Sequence, residues 1–159
     1  GTEEQRIGVL RAAIESGVSW VDLEIDIKAA TRKELMSLAK GKTQVIASTH
    51  SANEPPTASE IISDIEGMEA SGEIIKICYN TSGRNSGLKL FEAAWNLKDS
   101  QLKTSIMGMG AGGDWTRIHG PLLHQDLVYS TMESGSHLSS QGRINASDLL
   151  IAWEMLQYD

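Results

Sequence analysis

Short runs of nearly continuous apolar residues alternate along the chain with stretches in which apolar residues recur every three or four positions. The first pattern is typical of strands buried on both faces, and the second is typical of helices with one apolar face. Residues 4–16 place Ile7, Leu10 and Ile14 at nearly helical spacing before Gly17. The pattern predicts strands over 20–25, 44–50, 74–80, 103–109 and 126–132, and helices over 4–16, about 31–40, from Thr57 or Ser59 to about Ala70, from the turn at 81–87 through Trp95, shortly after 113, and over 145–157.

Strands and helices thus alternate, which predicts an α/β fold with a parallel sheet covered by helices. Two architectures have this pattern: an open doubly wound sheet and part of a (β/α)8 barrel. No linker or low-complexity segment divides the chain, so we expect a single domain over residues 1–159.

Charge and composition narrow the class of protein. The 159 residues carry a net charge of -7, which argues against a nucleic-acid-binding surface because phosphate contacts require clustered Lys and Arg. The apolar runs are too short to span a bilayer, and no secretory signal pattern opens the chain. Cys78 is the single cysteine, which excludes an internal disulfide and fits a reducing compartment. We therefore expect a nuclear or cytoplasmic protein with neither nucleic acid nor a membrane as a direct partner.

Lys76 lies in the middle of an apolar run, IIKICY, which reads as a buried strand. Burial disfavours the ammonium form of a lysine, and a neutral amine can attack a carbonyl carbon to form a Schiff base. The alternative is that Lys76 lies near a strand end and extends its ammonium group into solvent.

Other chemically capable residues lie toward the ends of the predicted strands or after them, namely Asp22, Glu24, His50, Arg117 and Ser139. The carboxyl ends of parallel strands form the active site in such folds, so we expect these residues to converge with Lys76. His50 could transfer protons, and Arg117 could bind a carboxylate in a bidentate pair. Each residue also has a structural interpretation: His50 as a hydrogen-bonded loop residue, Arg117 in helix packing, and the two acids as solvated strand edges.

The glycine-rich stretch 108–113, GMGAGG, could be a dinucleotide-binding loop in an open sheet. However, no acidic residue ends a following strand at the expected distance, and such a glycine pattern alone is weak evidence.

The segments WVDLEI, IASTH, IIKI, MGAGGDWTRI and LSSQGR occur in an order that resembles the type I 3-dehydroquinate dehydratase family, from about residue 6 onward. Members of that family are class I aldolase-like (β/α)8 barrels. The resemblance implies that His50 is the general acid and base, that Lys76 forms the Schiff base, and that Arg117 and Ser139 bind substrate. It places Asp22 where a strand carboxylate supports the histidine, and it implies neither a cofactor nor a metal.

The chain departs from the family pattern at several points. Arg143 stands where the family has a glutamine that contacts substrate, so a long cation replaces a neutral side chain. Ser51 follows the histidine where aspartate is common. The family's first three βα units, which include a glutamate partner of the histidine, have no counterpart. The resemblance therefore implies an incomplete TIM barrel, and its exposed sheet edges predict a homodimer.

Two functional hypotheses follow from the resemblance. The departures favour a catalytically inactive regulatory domain, like the dehydratase-like region of the fungal quinate-pathway repressor, itself similar to the fungal pentafunctional shikimate-pathway enzyme. Such a domain would bind a quinate or shikimate pathway metabolite or a transcriptional activator protein. The alternative is an active dehydratase that converts 3-dehydroquinate to 3-dehydroshikimate through an imine on Lys76.

Overall fold

The computed structural model describes residues 1–135 and 137–158, apart from the side chain of Ser139. The strands are β1 (Trp20–Glu24), β2 (Gln44–Ser51), β3 (Ile74–Ser82) and β4 (Thr104–Ala111). The helices are α1 (Glu3–Glu15), α2 (Ala29–Ala39), α3 (Ala58–Gly67), α4 (Arg84–Leu97), α5 (Trp115–Ile118), α6 (His137–Ser140) and α7 (Ala146–Met155), with one turn of 3-10 helix at Glu69–Ser71. These four strands and the helices between them confirm the predicted alternation. Within the described ranges, no helix has both the length and the apolarity needed to cross a bilayer.

The four strands form one parallel sheet in the order β1-β2-β3-β4. Neighbouring strands are consecutive in sequence, and each crossover contains at least one helix, as parallel pairing requires. The register aligns four polar residues in one row across the sheet: Glu24, Ser48, Lys76 and Ser105. Paired residues project from the same face, so this row gives one face of the sheet a polar centre.

The other face of the sheet packs against the helices through two clusters of buried apolar residues. Ile77 lies in the larger cluster with Ile61 and Ile65 of α3 and Leu90 of α4. The smaller cluster joins α1 and α2 to β1 and includes Leu23. Because side chains alternate along a strand, β3 places Ile75, Ile77 and Tyr79 in the core while Lys76 projects to the opposite face.

Local capping explains where several helices begin. Thr2 and Gln5 form a reciprocal capping box at α1, and Thr57 and Glu60 form another at α3. Thr57 is therefore the N-cap, which resolves the choice between Thr57 and Ser59. Asn145 caps α7 by accepting a hydrogen bond from the backbone N–H of Asp148.

The predicted fifth strand, 126–132, is wrong. This segment runs beside β4, but its one backbone hydrogen bond to that strand joins Asp126 N to Thr104 O at 3.0 Å. Side chains occupy the next positions: Thr104 N donates to Asp126 Oδ2 at 2.9 Å, and Ile106 N donates to Gln125 Oε1 at 2.6 Å. Because side-chain oxygens accept the N–H groups of β4, a regular ladder does not form.

The glycine-rich end of β4 packs against the chain's own backbone. A Cβ atom on Gly113 would lie 2.5 Å from the carbonyl carbon of Gly108, and one on Gly87 of α4 would overlap the Gly112 carbonyl oxygen. Gly112 also has a φ of 79°, which L side chains rarely adopt. These glycines therefore allow close approach between β4 and α4, which accounts for them without a bound dinucleotide.

The same substitution should have opposite effects at two helical glycines. Gly8 in α1 is exposed with open space around it, so Gly8→Ala should stabilise the fold by about 0.5–1 kcal/mol through helix propensity. Gly87→Ala should destabilise it by about 1–3 kcal/mol because the new methyl group overlaps backbone. Urea unfolding midpoints measure both effects, and a stabilised Gly87→Ala variant would contradict the close packing.

Candidate active site

Lys76 lies at the centre of the polar face and is only 6% exposed. Its ammonium nitrogen is 3.0 Å from Asp22 Oδ2 and 3.2 Å from His50 Nε2. The ring of Tyr129 covers it, with 4.4 Å between Nζ and the ring centroid. The alternative in which Lys76 extends into solvent is therefore wrong. The structure brings together the lysine and the histidine that the sequence analysis selected.

Asp22 is the carboxylate partner of the lysine. Its Oδ2 atom accepts from Lys76 and, at 3.3 Å, from the hydroxyl of Tyr129, while Oδ1 accepts a short hydrogen bond from Ser48. The prediction that Asp22 supports the histidine is corrected by these contacts. β1 and β3 lie on either side of β2, and the side chains of Asp22 and Lys76 project from the same face of the sheet. The short Ser48 side chain between them leaves room for the contact.

Glu24 makes the contact to the histidine that the sequence analysis assigned to Asp22. Its Oε1 atom is 2.7 Å from His50 Nδ1. A carboxylate only accepts hydrogen bonds, so Nδ1 carries the proton. In the neutral imidazole the Nε2 lone pair then faces Lys76. Their position toward the end of a predicted strand placed both Asp22 and Glu24 among the candidates. It did not separate their roles, because residues two apart share a face of β1.

Tyr129 was not selected by the sequence analysis. It lies in the irregular segment beside β4, and no sequence pattern marked it. Burial, together with the nearby Asp22 carboxylate, raises the pKa of Tyr129 to about 12, so its hydroxyl stays protonated and donates to Asp22. Tyr129 thus covers the lysine with its ring and orients the aspartate with its hydroxyl.

Cys78 is the next residue on the Lys76 face of β3 and pairs with His50 in the register. Burial raises the pKa of its thiol, an effect that the positive charges of Arg117 and Lys76 oppose. A protonated thiol is a weak nucleophile, so the amine of Lys76 has the stronger claim to covalent chemistry at this face.

Arg117 is buried and bonds mainly to backbone oxygens. Its Nε donates to the carbonyl of Tyr129 at 3.0 Å, and Nη1 donates to the carbonyls of Gly108 and Gly113 at 2.8 and 2.6 Å. Burial lowers the pKa of its guanidinium. The structure therefore shows Arg117 joining the end of β4 to the segment that carries Tyr129, and its contact with substrate stays a prediction.

The predicted substrate-binding loop follows Arg117. Arg143 is exposed and, with Arg117 and Tyr129, lines a cavity of about 460 Å³ beside the lysine cluster. The side chain of Ser139 lies outside the described part of the structure. Among the described residues, no group of three or more His, Cys, Asp or Glu side chains is arranged to hold a metal ion.

Comparison with known proteins identifies the arrangement. The family model for type I 3-dehydroquinase matches residues 1–159. The chain belongs to the type I 3-dehydroquinase family. The predicted family and the predicted α/β fold are thus confirmed. The four-stranded sheet corresponds to part of the barrel of solved relatives in the family.

Curated relatives in this family are dehydratases. The chain is 24% identical over 159 residues to the 3-dehydroquinate dehydratase of Methanocaldococcus jannaschii, covering 98% of this chain and 69% of that protein. It is 26% identical to the chloroplastic bifunctional 3-dehydroquinate dehydratase/shikimate dehydrogenase of Arabidopsis thaliana, covering 94% of this chain and 24% of the relative.

Solved structures show the same fold. The type I 3-dehydroquinate dehydratase of Clostridium difficile superimposes with a TM-score of 0.85 at 22% identity. The dehydroquinate dehydratase and shikimate dehydrogenase structure from S. pombe superimposes with a TM-score of 0.76 at 20% identity, covering 30% of that chain. Our chain spans 62% of the length of the C. difficile protein.

The two members of the central ion pair should differ in their effect on stability. Asp22→Asn leaves the buried ammonium of Lys76 without its carboxylate, and we expect a loss of about 2–3 kcal/mol, below the cost for a fully buried pair. Lys76→Met replaces the cation with an apolar side chain of similar length. Asp22 is then still hydrogen-bonded and its side chain is 31% exposed, so we expect a change within about 1 kcal/mol.

Urea unfolding of the two variants and of the double variant measures this asymmetry. An equal or larger loss for Lys76→Met would mean that the ammonium group itself, rather than its need for a partner, stabilises the fold.

Proposed function

We propose that this chain carries the Schiff-base chemistry of a type I 3-dehydroquinate dehydratase and converts 3-dehydroquinate to 3-dehydroshikimate. The observation that carries the proposal is the contact of 3.2 Å between Lys76 Nζ and His50 Nε2. Each of the two residues also binds a carboxylate, Asp22 for the lysine and Glu24 for the histidine. The dehydratase names of the curated relatives support it.

The first step is imine formation. An ammonium proton of Lys76 passes to Nε2 of His50, which leaves a neutral amine held by Asp22 beside the ring of Tyr129. The amine attacks the substrate ketone, a C–N bond forms, and the carbonyl oxygen leaves as water after accepting two protons. The protonated imine then withdraws electrons from the neighbouring carbon.

The second step is elimination. His50 Nε2 removes a proton from the carbon next to the imine, and Glu24 at Nδ1 stabilises the resulting imidazolium. The electron pair forms a carbon–carbon double bond as the β-hydroxyl group leaves, protonated by the same imidazolium. Water then hydrolyses the imine, which releases the enone product and restores the Lys76 amine.

We assign substrate carboxylate binding to the region of Arg117, Ser139 and Arg143. The two arginines line one cavity that adjoins Tyr129 and hence the lysine. Lining residues of that cavity are otherwise neutral, so an anionic group would meet positive charge there.

Imine trapping tests the role of Lys76. Borohydride reduction in the presence of 3-dehydroquinate should leave a stable mass adduct on the peptide that contains Lys76, because reduction converts the imine to an amine that water cannot hydrolyse. Lys76→Met should give no adduct. Lys33→Met is the matched control, since Lys33 is exposed on α2, and it should trap as the unaltered chain does.

The role of His50 gives a separate prediction. His50→Ala should lower kcat by about 10²–10⁴-fold, the usual contribution of a general acid or base. Borohydride should still trap the substrate on Lys76, because water can accept the ammonium proton in place of the histidine. Steady-state absorbance of the enone product measures kcat. Unchanged turnover in His50→Ala would remove the histidine from the mechanism.

The regulatory hypothesis is the second candidate, and Arg143 is the observation that favours it. A cation in place of the glutamine of the family pattern changes the shape and charge of the substrate loop. If the chain binds 3-dehydroquinate, raising its melting temperature, but gives neither turnover nor a borohydride adduct, it is a metabolite-binding domain without catalysis.

A further inference from the structure

Glu24 has two oxygens, and each binds a different partner. Oε1 lies 2.7 Å from His50 Nδ1, and Oε2 accepts from Nη1 of Arg6 at 2.5 Å. Arg6 belongs to the first turns of α1, remote in sequence from the residues of the proposed chemistry. A continuous chain of polar contacts therefore runs from Arg6 through Glu24 and His50 to Lys76.

Arg6 is itself held in place by two further carboxylates. Its Nε and Nη2 atoms lie 2.8 and 2.9 Å from the carboxylate of Glu3, and Nη2 lies 3.1 Å from Asp26. The hydrogen bonds that Arg6 donates to Glu3 and Asp26 raise the pKa of its guanidinium, which therefore stays charged at every accessible pH. The guanidinium thus ties Glu24 Oε2 to α1 and to the loop after β1.

We propose that Arg6 is a positioning residue for proton transfer at His50: by binding Glu24 Oε2, it holds Oε1 on the Nδ1–H group of the imidazole and so keeps Nε2 free to accept a proton beside Lys76. The consequence for turnover rests on the proposed dehydratase function, whereas the effect on the histidine tautomer does not.

The alternative role for Arg6 is a surface ion pair that only stabilises the fold. The Arg6 side chain is 33% exposed and Glu24 is 35% exposed, so their attraction is screened by solvent and contributes little to stability. Loss of Arg6 should nevertheless change the position of Glu24 relative to His50. Without Arg6, three carboxylates (Glu3, Glu24 and Asp26) repel one another around the vacated position, and Glu24 turns toward solvent.

The same helix supplies a matched control. Arg11 forms an ion pair with Glu34 at 2.5 Å, and its side chain is 37% exposed. Arg11→Met removes the same charge and one salt bridge from α1, at a site away from His50. Any effect that both variants share belongs to the helix or to the net charge of the chain.

Nitrogen-15 NMR of the histidine ring, recorded without substrate at a pH where His50 is neutral, tests the proposal directly. Arg6→Met should lower the ratio of the Nδ1–H to the Nε2–H tautomer of His50 roughly three- to tenfold, the change that one hydrogen bond of ordinary net strength supports. Arg11→Met should leave the ratio unchanged. Arg6→Lys, which keeps a cation but loses the planar fork, should restore part of it.

Kinetics give the second readout. If the chain turns over 3-dehydroquinate, Arg6→Met should lower kcat roughly ten- to a hundredfold with KM nearly unchanged, because the base is misplaced while substrate binding is intact. Similar urea midpoints for Arg6→Met and Arg11→Met exclude a purely structural explanation. Should the methionine variant fail to fold, Arg6→Gln is measured in the same way.

The outcomes separate the two proposals. A tautomer shift confined to the Arg6 variants supports the positioning role, even if the unaltered chain shows no turnover and the dehydratase function fails. An unchanged tautomer ratio in Arg6→Met, or an equal shift in Arg11→Met, overturns the positioning role whatever the activity.

Discussion

The burial of one ammonium group organises the polar face of this molecule. Removing the charge of Lys76 from water is unfavourable unless other groups replace the lost hydration. Asp22 supplies a carboxylate, His50 a ring nitrogen, and Tyr129 an aromatic face and a hydroxyl that fixes Asp22. These partners come from two strands, β1 and β2, and one irregular segment, so the lysine on β3 is accommodated only when the sheet and that segment are assembled together.

Strand register determines which groups meet. Parallel pairing aligns Glu24, Ser48, Lys76 and Ser105, and the small Ser48 between the two charged residues leaves room for longer side chains to reach across. The alternation along β3 gives its other face to the apolar core. One set of strands therefore serves two purposes, since the helices cover the apolar face while the polar face retains the reactive groups.

Family membership and the geometry of this face both support the proposed chemistry. A lysine and a histidine in contact, each with its own carboxylate, form the minimum set for imine formation and proton transfer. The histidine receives its carboxylate from β1, within this chain, although the resemblance had assigned its glutamate partner to βα units without a counterpart here. The chain therefore contains the histidine and carboxylate proposed for proton transfer, while Arg143 marks the difference in the region proposed for substrate binding.

The sequence by itself determined the four strands, the helices between them, the family, and the choice of His50 and Lys76 as candidate reactive residues. These depend on apolar periodicity and on local motifs, which a sequence displays directly. Only the tertiary structure decided that Asp22 holds the lysine while Glu24 holds the histidine, because both acids share one strand face and register selects between them. It also replaced the expected fifth strand with a segment bonded through side chains, and it brought in Tyr129 and Arg6. Their contacts span 107 and 18 residues of sequence, and such contacts follow from packing rather than from any local pattern.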